Sequence, residues 1–245
     1  MSSIYGYTGK KEAQKLMSNA LRHWQPDREN FIEREAFTLG ALELFKTPEC
    51  PLVALPYAYK NFHIVADCRI DNREELAKEL GVSDISKHSD IEFIARAYEK
   101  YGEDAPKKLK GDFAFVIWDE KKKELFIARD RLGIKPLYYR EVDNGFIFGS
   151  EIKSIQEDFF NEQQINKNRL ADFIYHRRLD HTVETFFNGI NQIPAGSFLL
   201  YNHKDFKTDF IEYYKLPFIG GGDKDYNKEE LKEHIFETVN NHILA

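Results

Sequence analysis

The chain has 245 residues, 42% hydrophobic and 14% aromatic, which is enough to bury one substantial core. A net charge of -6 offers no positive surface for phosphate, so nucleic acid is not an expected partner. No apolar run reaches the length of a membrane span and no basic-then-apolar segment opens the chain, so a cytoplasmic protein without membrane association is expected.

In chain order, residues 10–23 read as an amphipathic helix with Ala13, Leu16, Met17, Ala20 and Leu21 on one face. Strand-like segments follow at 36–44 and 62–70, then helices at 72–80 and 89–101. Ser89 and Glu92 form a capping box for the second of these helices. A β-hairpin occupies the centre: 113–118 and 125–129 flank the polar turn 119–124. Its first strand, Phe113-Ala114-Phe115-Val116-Ile117-Trp118, is apolar on both alternating faces and must be covered from two sides. Shorter strands are expected at 146–149 and 197–200, and a helix at 167–177. This mixture suggests a layered α+β fold and not a regular βαβ alternation.

Gly220-Gly221-Gly222-Asp223 reads as a flexible linker. Beyond it lies one helix, capped by Asn227 and Glu230, with Leu231, Ile235, Val239 and Ile243 in an apolar stripe. A single amphipathic helix makes no domain, so the stripe needs a partner surface: a following domain, the first domain itself, or another copy in a homodimer. The expected organisation is a domain over 1–216, a linker over 217–226 and this helix over 227–245. Whether the native product continues past Ala245 is left open. Cys50 and Cys68 lack the paired spacing of a zinc site or redox dithiol and read as unremarkable buried thiols. No His, Asp and Glu cluster has metal-ligand spacing, and the eight histidines are scattered, so no metal is expected.

Several longer motifs occur in order: Met1-Ser2-Ser3-Ile4-Tyr5-Gly6, Ser89-Asp90-Ile91-Glu92, Lys110-Gly111-Asp112-Phe113-Ala114-Phe115, Arg129-Asp130-Arg131-Leu132-Gly133-Ile134-Lys135-Pro136-Leu137-Tyr138-Tyr139, Ser150-Glu151-Ile152-Lys153 and Ile193-Pro194-Ala195-Gly196. Together they resemble the glutaminase domain of asparagine synthetases, a class II glutamine amidotransferase with an N-terminal nucleophile, over most of residues 1–216. The resemblance implies a four-layer αββα sandwich of two antiparallel sheets. The final helix resembles the opening of the ATP-using synthetase domain in the same proteins. Gly133 and Pro136 suit a sharp loop that ends strand pairing, so 129–139 reads as scaffold and not chemistry.

The resemblance also implies a site, which can be tested residue by residue. The family nucleophile is a cysteine whose own α-amine is the base; here that position is Ser2, which needs removal of Met1 and stronger activation. The family arginine that grips the substrate carboxylate aligns with Glu43, and no arginine lies between Ala36 and Lys60. The family's Asn-Gly oxyanion pair aligns with Asp67 and Cys68. An ionised carboxylate there accepts where a donor is needed, and the thiol adds a side chain in place of glycine. Asp90 matches the aspartate that binds the substrate amino group. Its alternative is structural, since an acid in the first turn of a helix is favoured by the dipole. His23-Trp24-Gln25-Pro26-Asp27 also departs from the usual His-Arg-Gly-Pro-Asp.

The expectation is therefore a degenerate glutaminase-like domain without glutaminase activity. Asp67-Cys68-Arg69-Ile70-Asp71-Asn72-Arg73 is similar to the Asp-Gly-Arg-x-Asp-Asn-Arg run of a divergent branch, which includes β-lactam synthetase and lasso peptide cyclases. Its implied partner is an asparagine-synthetase-like domain in cis or trans. No pyrophosphate loop of the Ser-Gly-Gly-x-Asp-Ser type occurs in the 245 residues, so ATP and magnesium are expected only with such a domain, and no cofactor in this chain. Two alternatives stay open: an active N-terminal-serine amidohydrolase or glutamine-hydrolysing asparagine synthetase subunit, and a non-catalytic interaction module.

Overall fold

The computed structural model describes residues 2–9, 13–45, 47–159, 165–216 and 227–243. In chain order the elements are β1 (Ser3–Thr8), α1 (Gln14–Leu21), β2 (Arg28–Glu33), β3 (Phe37–Glu43), β4 (Tyr57–Tyr59), β5 (Phe62–Ile70), α2 (Arg73–Leu80), α3 (Asp90–Tyr101), α4 (Ala105–Lys108), β6 (Gly111–Asp119), β7 (Glu124–Arg129), β8 (Tyr138–Val142), β9 (Gly145–Gly149), α5 (Ile152–Phe159), α6 (Lys167–His176), β10 (Asn191–Gln192), β11 (Ser197–Asn202), β12 (Lys207–Glu212) and α7 (Lys228–Ile243).

The predicted central hairpin is the spine of one sheet, ordered β12-β11-β7-β6-β5-β4. Its first strand is buried from Phe113 to Asp119, as two-sided apolarity requires. The turn closes because the Asp119 carboxylate accepts the Lys121 and Lys122 amides at 2.9 and 3.3 Å. The second sheet is ordered β10-β8-β9-β1-β3-β2, and all of its pairings are antiparallel. Its strands β1 and β3 pack on β5 of the first sheet. Helices α1 and α5 cover the outer face of the second sheet, while α3, backed by α2, covers β5. The architecture is the expected αββα sandwich.

Local chemistry sets most boundaries. The Ser89–Glu92 capping box opens α3, and Gly81, at φ +67°, closes α2. The first predicted helix is shorter than its periodicity suggests: Gln14–Leu21 passes into a 3-10 turn at Arg22–Trp24, which Gln25 ends in the left-handed region. Residues 10–12 lie outside the described residues. Ala13, Met17 and Leu21 are buried as expected, whereas Leu16 is 47% exposed, one step round the helix from the packed face. The linker glycines at 220–223 also lie outside the described residues. On α7, the Asn227 side chain caps the Glu229 and Glu230 amides, and Leu231, Ile235 and Val239 remain 50, 54 and 47% exposed. Among the described residues no helix is long and apolar enough to cross a membrane, and no cluster could hold a metal.

Candidate active site

The five residues singled out by sequence meet where the two sheets come together at the N-terminus. Ser2, Glu43, Cys68 and Asp90 line one narrow cleft with Leu44, Phe45, Cys50, Val53, Leu55 and Ile91, and Asp67 stands behind Ser2. Ser2 precedes β1, and its N–H donates to Asp67 Oδ1 at 3.2 Å. Its Oγ accepts the Leu44 amide at 3.2 Å, so both polar groups are held by the fold. Cys50 and Cys68 are free and half-buried, and both face this cleft; Cys68 was among the residues singled out, whereas nothing in the sequence pointed to Cys50 there.

Glu43, the last residue of β3, is not a free acid. Its register partner on β2 is Arg28, and the two form a bidentate pair at 2.7 and 2.8 Å. The Glu43 carboxylate also accepts the Leu55 amide, while Arg28 reaches the carbonyls of Cys50, Pro51 and Val53. A guanidinium therefore does enter this region, from the neighbouring strand, with its donors committed to the protein. Opposite charges facing each other across two strands were the available signal.

Asp67 lies mid-strand on β5, opposite Ala114 of β6, and is 5% exposed. Its partner is Lys135, whose Nζ lies 3.2 Å from Oδ2 and 3.3 Å from Oδ1. Lys135 comes from the stretch read as scaffold, and most of that stretch is scaffold. Buried Asp130 accepts the amides of Phe113, Leu132, Ile134 and Lys135, and Arg129 binds the carbonyls of Gly133, Lys135 and Ile193. Gly133 turns the loop at φ +68°. The scaffold thus aims one ammonium into the site, which the sequence reading missed. Beside this pair, burial pushes the Cys68 thiol well above its ordinary value, and the Asp90 and Asp67 charges add to the shift.

Asp90 opens α3. Its Oδ2 accepts the Ile70 amide at 3.2 Å, and Arg73 Nε lies 3.5 Å from Oδ1. Arg73 also pairs with Glu49 at 3.6 Å and donates to the carbonyls of Ile85 and His88. The Asp-Cys-Arg-Ile-Asp-Asn-Arg run is accordingly a brace. Arg69 binds Asp71 and Asp112, Asn72 binds the backbone of Lys108 and Lys110, and Arg73 reaches Asp90.

Burial pushes the Asp90 carboxyl up from 3.8 to about 6, against the opposing pull of Arg73 and the Ile70 amide. The native state therefore keeps a proton that the unfolded chain has lost between these values. The resulting stability is complete below about pH 4 and is lost as pH rises through about 6, with a two-unit shift worth about 3 kcal/mol. Asp90→Asn keeps the acceptor and removes the titration. Its stability relative to the parent should therefore rise by about 2–3 kcal/mol between pH 4 and 7, read from urea unfolding at each pH.

A family model described as a glutamine amidotransferase domain matches residues 1–214. The chain belongs to the class II glutamine amidotransferase family. Among its relatives, asparagine synthetase (glutamine-hydrolyzing) 3 of Bacillus subtilis is 34% identical over 61% of the chain and 25% of the relative. Asparagine synthetase (glutamine-hydrolyzing) 1 of the same organism is 29% identical over 96% of the chain and 37% of the relative. A fungal relative from Gibberella zeae, amidase chry2, is 32% identical over 64% of the chain and 23% of its own length. The chain thus spans about a quarter to somewhat over a third of the length of these three relatives. The glutamine phosphoribosylpyrophosphate amidotransferase of B. subtilis, solved with ADP and GMP, superposes with a TM-score of 0.61 at 15% identity, over 86% of this chain and 49% of that one. That likeness supports the fold alone. The chain is an asparagine-synthetase-like glutamine amidotransferase domain.

Proposed function

We propose that this amidotransferase domain does not hydrolyse glutamine and serves as scaffold and partner for an asparagine-synthetase-like, ATP-dependent amide-forming domain in cis or trans. One observation carries the reading: each acid at the substrate positions already has a cation from the protein itself. Glu43 is held by Arg28, Asp67 by Lys135 and Asp90 by Arg73. Glutamine would need a free guanidinium for its carboxylate, a donor for the developing oxyanion and an uncommitted acid for its ammonium. In this cleft, the guanidinium is spent on Glu43, the oxyanion position carries an acceptor, and the acid is shared with Arg73. Loss of one oxyanion donor alone costs roughly 10²–10³ in rate.

The motif 67–73 supports placement in the branch resembling β-lactam synthetase and lasso peptide cyclases, where a substrate amine replaces ammonia. ATP and magnesium would then belong to the partner domain, and the α7 stripe would pack there or in a homodimer. The protein incubated with glutamine should release no glutamate above the uncatalysed background, and Ser2→Cys should stay equally silent because the nucleophile is only one of the missing parts. Turnover that Ser2→Ala abolishes would overturn the reading in favour of an N-terminal-serine amidohydrolase.

A further inference from the structure

We propose that Cys50 and Cys68 are the site of a peroxide-driven disulfide that clamps the 47–55 segment onto β5 and closes the cleft. The inference goes beyond the silent-domain reading and does not depend on it. Both thiols are free, and both line the same cleft, whose volume is about 60 Å³. That is room for a few water molecules, and so for hydrogen peroxide but not for a bulky oxidant. Side chains on the walls of so small a space stand close together, and Cys50 is accordingly among the groups that push the Cys68 thiol up. A metal held between the two would lack further ligands, since no cluster of three among the described residues could hold one. The two thiols also differ in freedom. Cys68 is fixed in β5, opposite Phe113 of β6. Cys50 opens the short 3-10 turn Cys50–Leu52, with its sulfur 3.4 Å from Thr47 Oγ1. This irregular segment is tied to the β2–β3 hairpin through Arg28 and Glu43, so it is the side that moves to reach the S–S bond length of about 2.0 Å.

The order of the two steps follows from the surroundings of Cys68. Burial first, then the Asp90 and Asp67 charges, hold its thiol protonated, and a thiol is a far weaker nucleophile than a thiolate. Cys50 therefore reacts first. Its thiolate sulfur attacks one oxygen of hydrogen peroxide, the O–O bond breaks, and the displaced hydroxide takes up a proton and departs as water. Cys50 is left as a sulfenic acid. The Cys68 sulfur then attacks the Cys50 sulfur, the S–O bond breaks, and the hydroxide leaves with the Cys68 proton as a second water. Two thiols are oxidised, one peroxide is reduced, and two waters form. The new bond joins the wall of the cleft to its floor, and a dithiol reductant reverses it.

The test treats the reduced full chain with hydrogen peroxide and reads intact mass and a non-reducing peptide map. The monomer should lose two hydrogen atoms, the map should join the Cys50 and Cys68 peptides, and dithiothreitol should restore both. Amide exchange over 47–55 should slow in the oxidised chain and recover on reduction. Cys68→Ser should lose the cross-link and leave a Cys50 sulfenic acid that dimedone traps, whereas Cys50→Ser should lose the cross-link and leave Cys68 as a thiol. Peroxide that adds oxygen to either cysteine of the unsubstituted chain without joining them overturns the proposal, as does a disulfide formed only between two chains. Those readouts decide it even if a serine variant fails to fold. A dimedone adduct that forms on Cys68 and not on Cys50 overturns the assigned order. Glutamate release enters none of these outcomes, so the silent-domain reading stands or falls separately.

Discussion

Glu43→Ala is expected to lower stability by about 3 kcal/mol at neutral pH, measured by urea unfolding, because it strands the Arg28 guanidinium among backbone carbonyls. The carboxylate is 6% exposed and the guanidinium 24%, so some water reaches the pair and the cost falls at the lower end of the range for buried ion pairs. The damage should also extend beyond the pair. Glu43 accepts the Leu55 amide while Arg28 binds the carbonyls of Cys50 and Val53, so the pair ties the 47–55 segment to the β2–β3 hairpin. Faster amide exchange confined to that segment should accompany the loss. A neutral replacement of both partners, Arg28→Met with Glu43→Leu, should recover most of the stability, since the desolvation of two charges disappears together with their attraction. A double variant as unstable as the single one would instead show that the pair contributes net stability.

This pair also marks how far the sequence could be read. The meeting of Ser2, Asp67 and Asp90 at one cleft was legible, because long motifs in order fix the register of β1, β5 and α3. The partners of the acids were not. Arg28 lies 15 residues from Glu43 on a strand, Arg28–Glu33, whose charged residues hide its alternation, and Lys135 lies 68 residues from Asp67 in a loop. Each meeting depends on strand register or loop closure, which local periodicity does not carry. The strand Ser3–Thr8 was missed for the opposite reason: all six residues are buried, so a sequence of serine, isoleucine, glycine, threonine and two tyrosines shows no alternation between faces. The hairpin of β6 and β7 was legible because its whole length is apolar and its turn is polar. Reading Glu43 as a lone acid put it in the correct strand, expected over 36–44 and observed over Phe37–Glu43, but left out its counter-ion.

Gly111→Ala should cost about 3 kcal/mol or more, by the addition of two separate terms. Gly111 opens β6 at φ +137°, a backbone region that residues with a Cβ occupy only at a cost of about 1–3 kcal/mol. A Cβ built there also falls inside contact distance of the Arg69 carbonyl oxygen on the neighbouring strand, and overpacking of this kind typically costs a further 1–3 kcal/mol. Gly81→Ala separates the two terms. Gly81 also has positive φ, at +67°, but a Cβ there meets nothing within 4 Å, so only the backbone term of about 1–2 kcal/mol should appear. The gap between the variants, read from urea midpoints at equal slope, measures the close approach of β6 to β5. That approach matters to the site because Gly111 pairs with Ile70, whose amide binds Asp90, and the adjacent Lys110 carbonyl accepts the Asp71 amide. Displacing β6 at its first residue thus moves the brace that presents Arg73 to Asp90. Gly111→Ala should consequently weaken the pH dependence assigned to Asp90 in addition to lowering stability, while Gly81→Ala should leave that dependence intact.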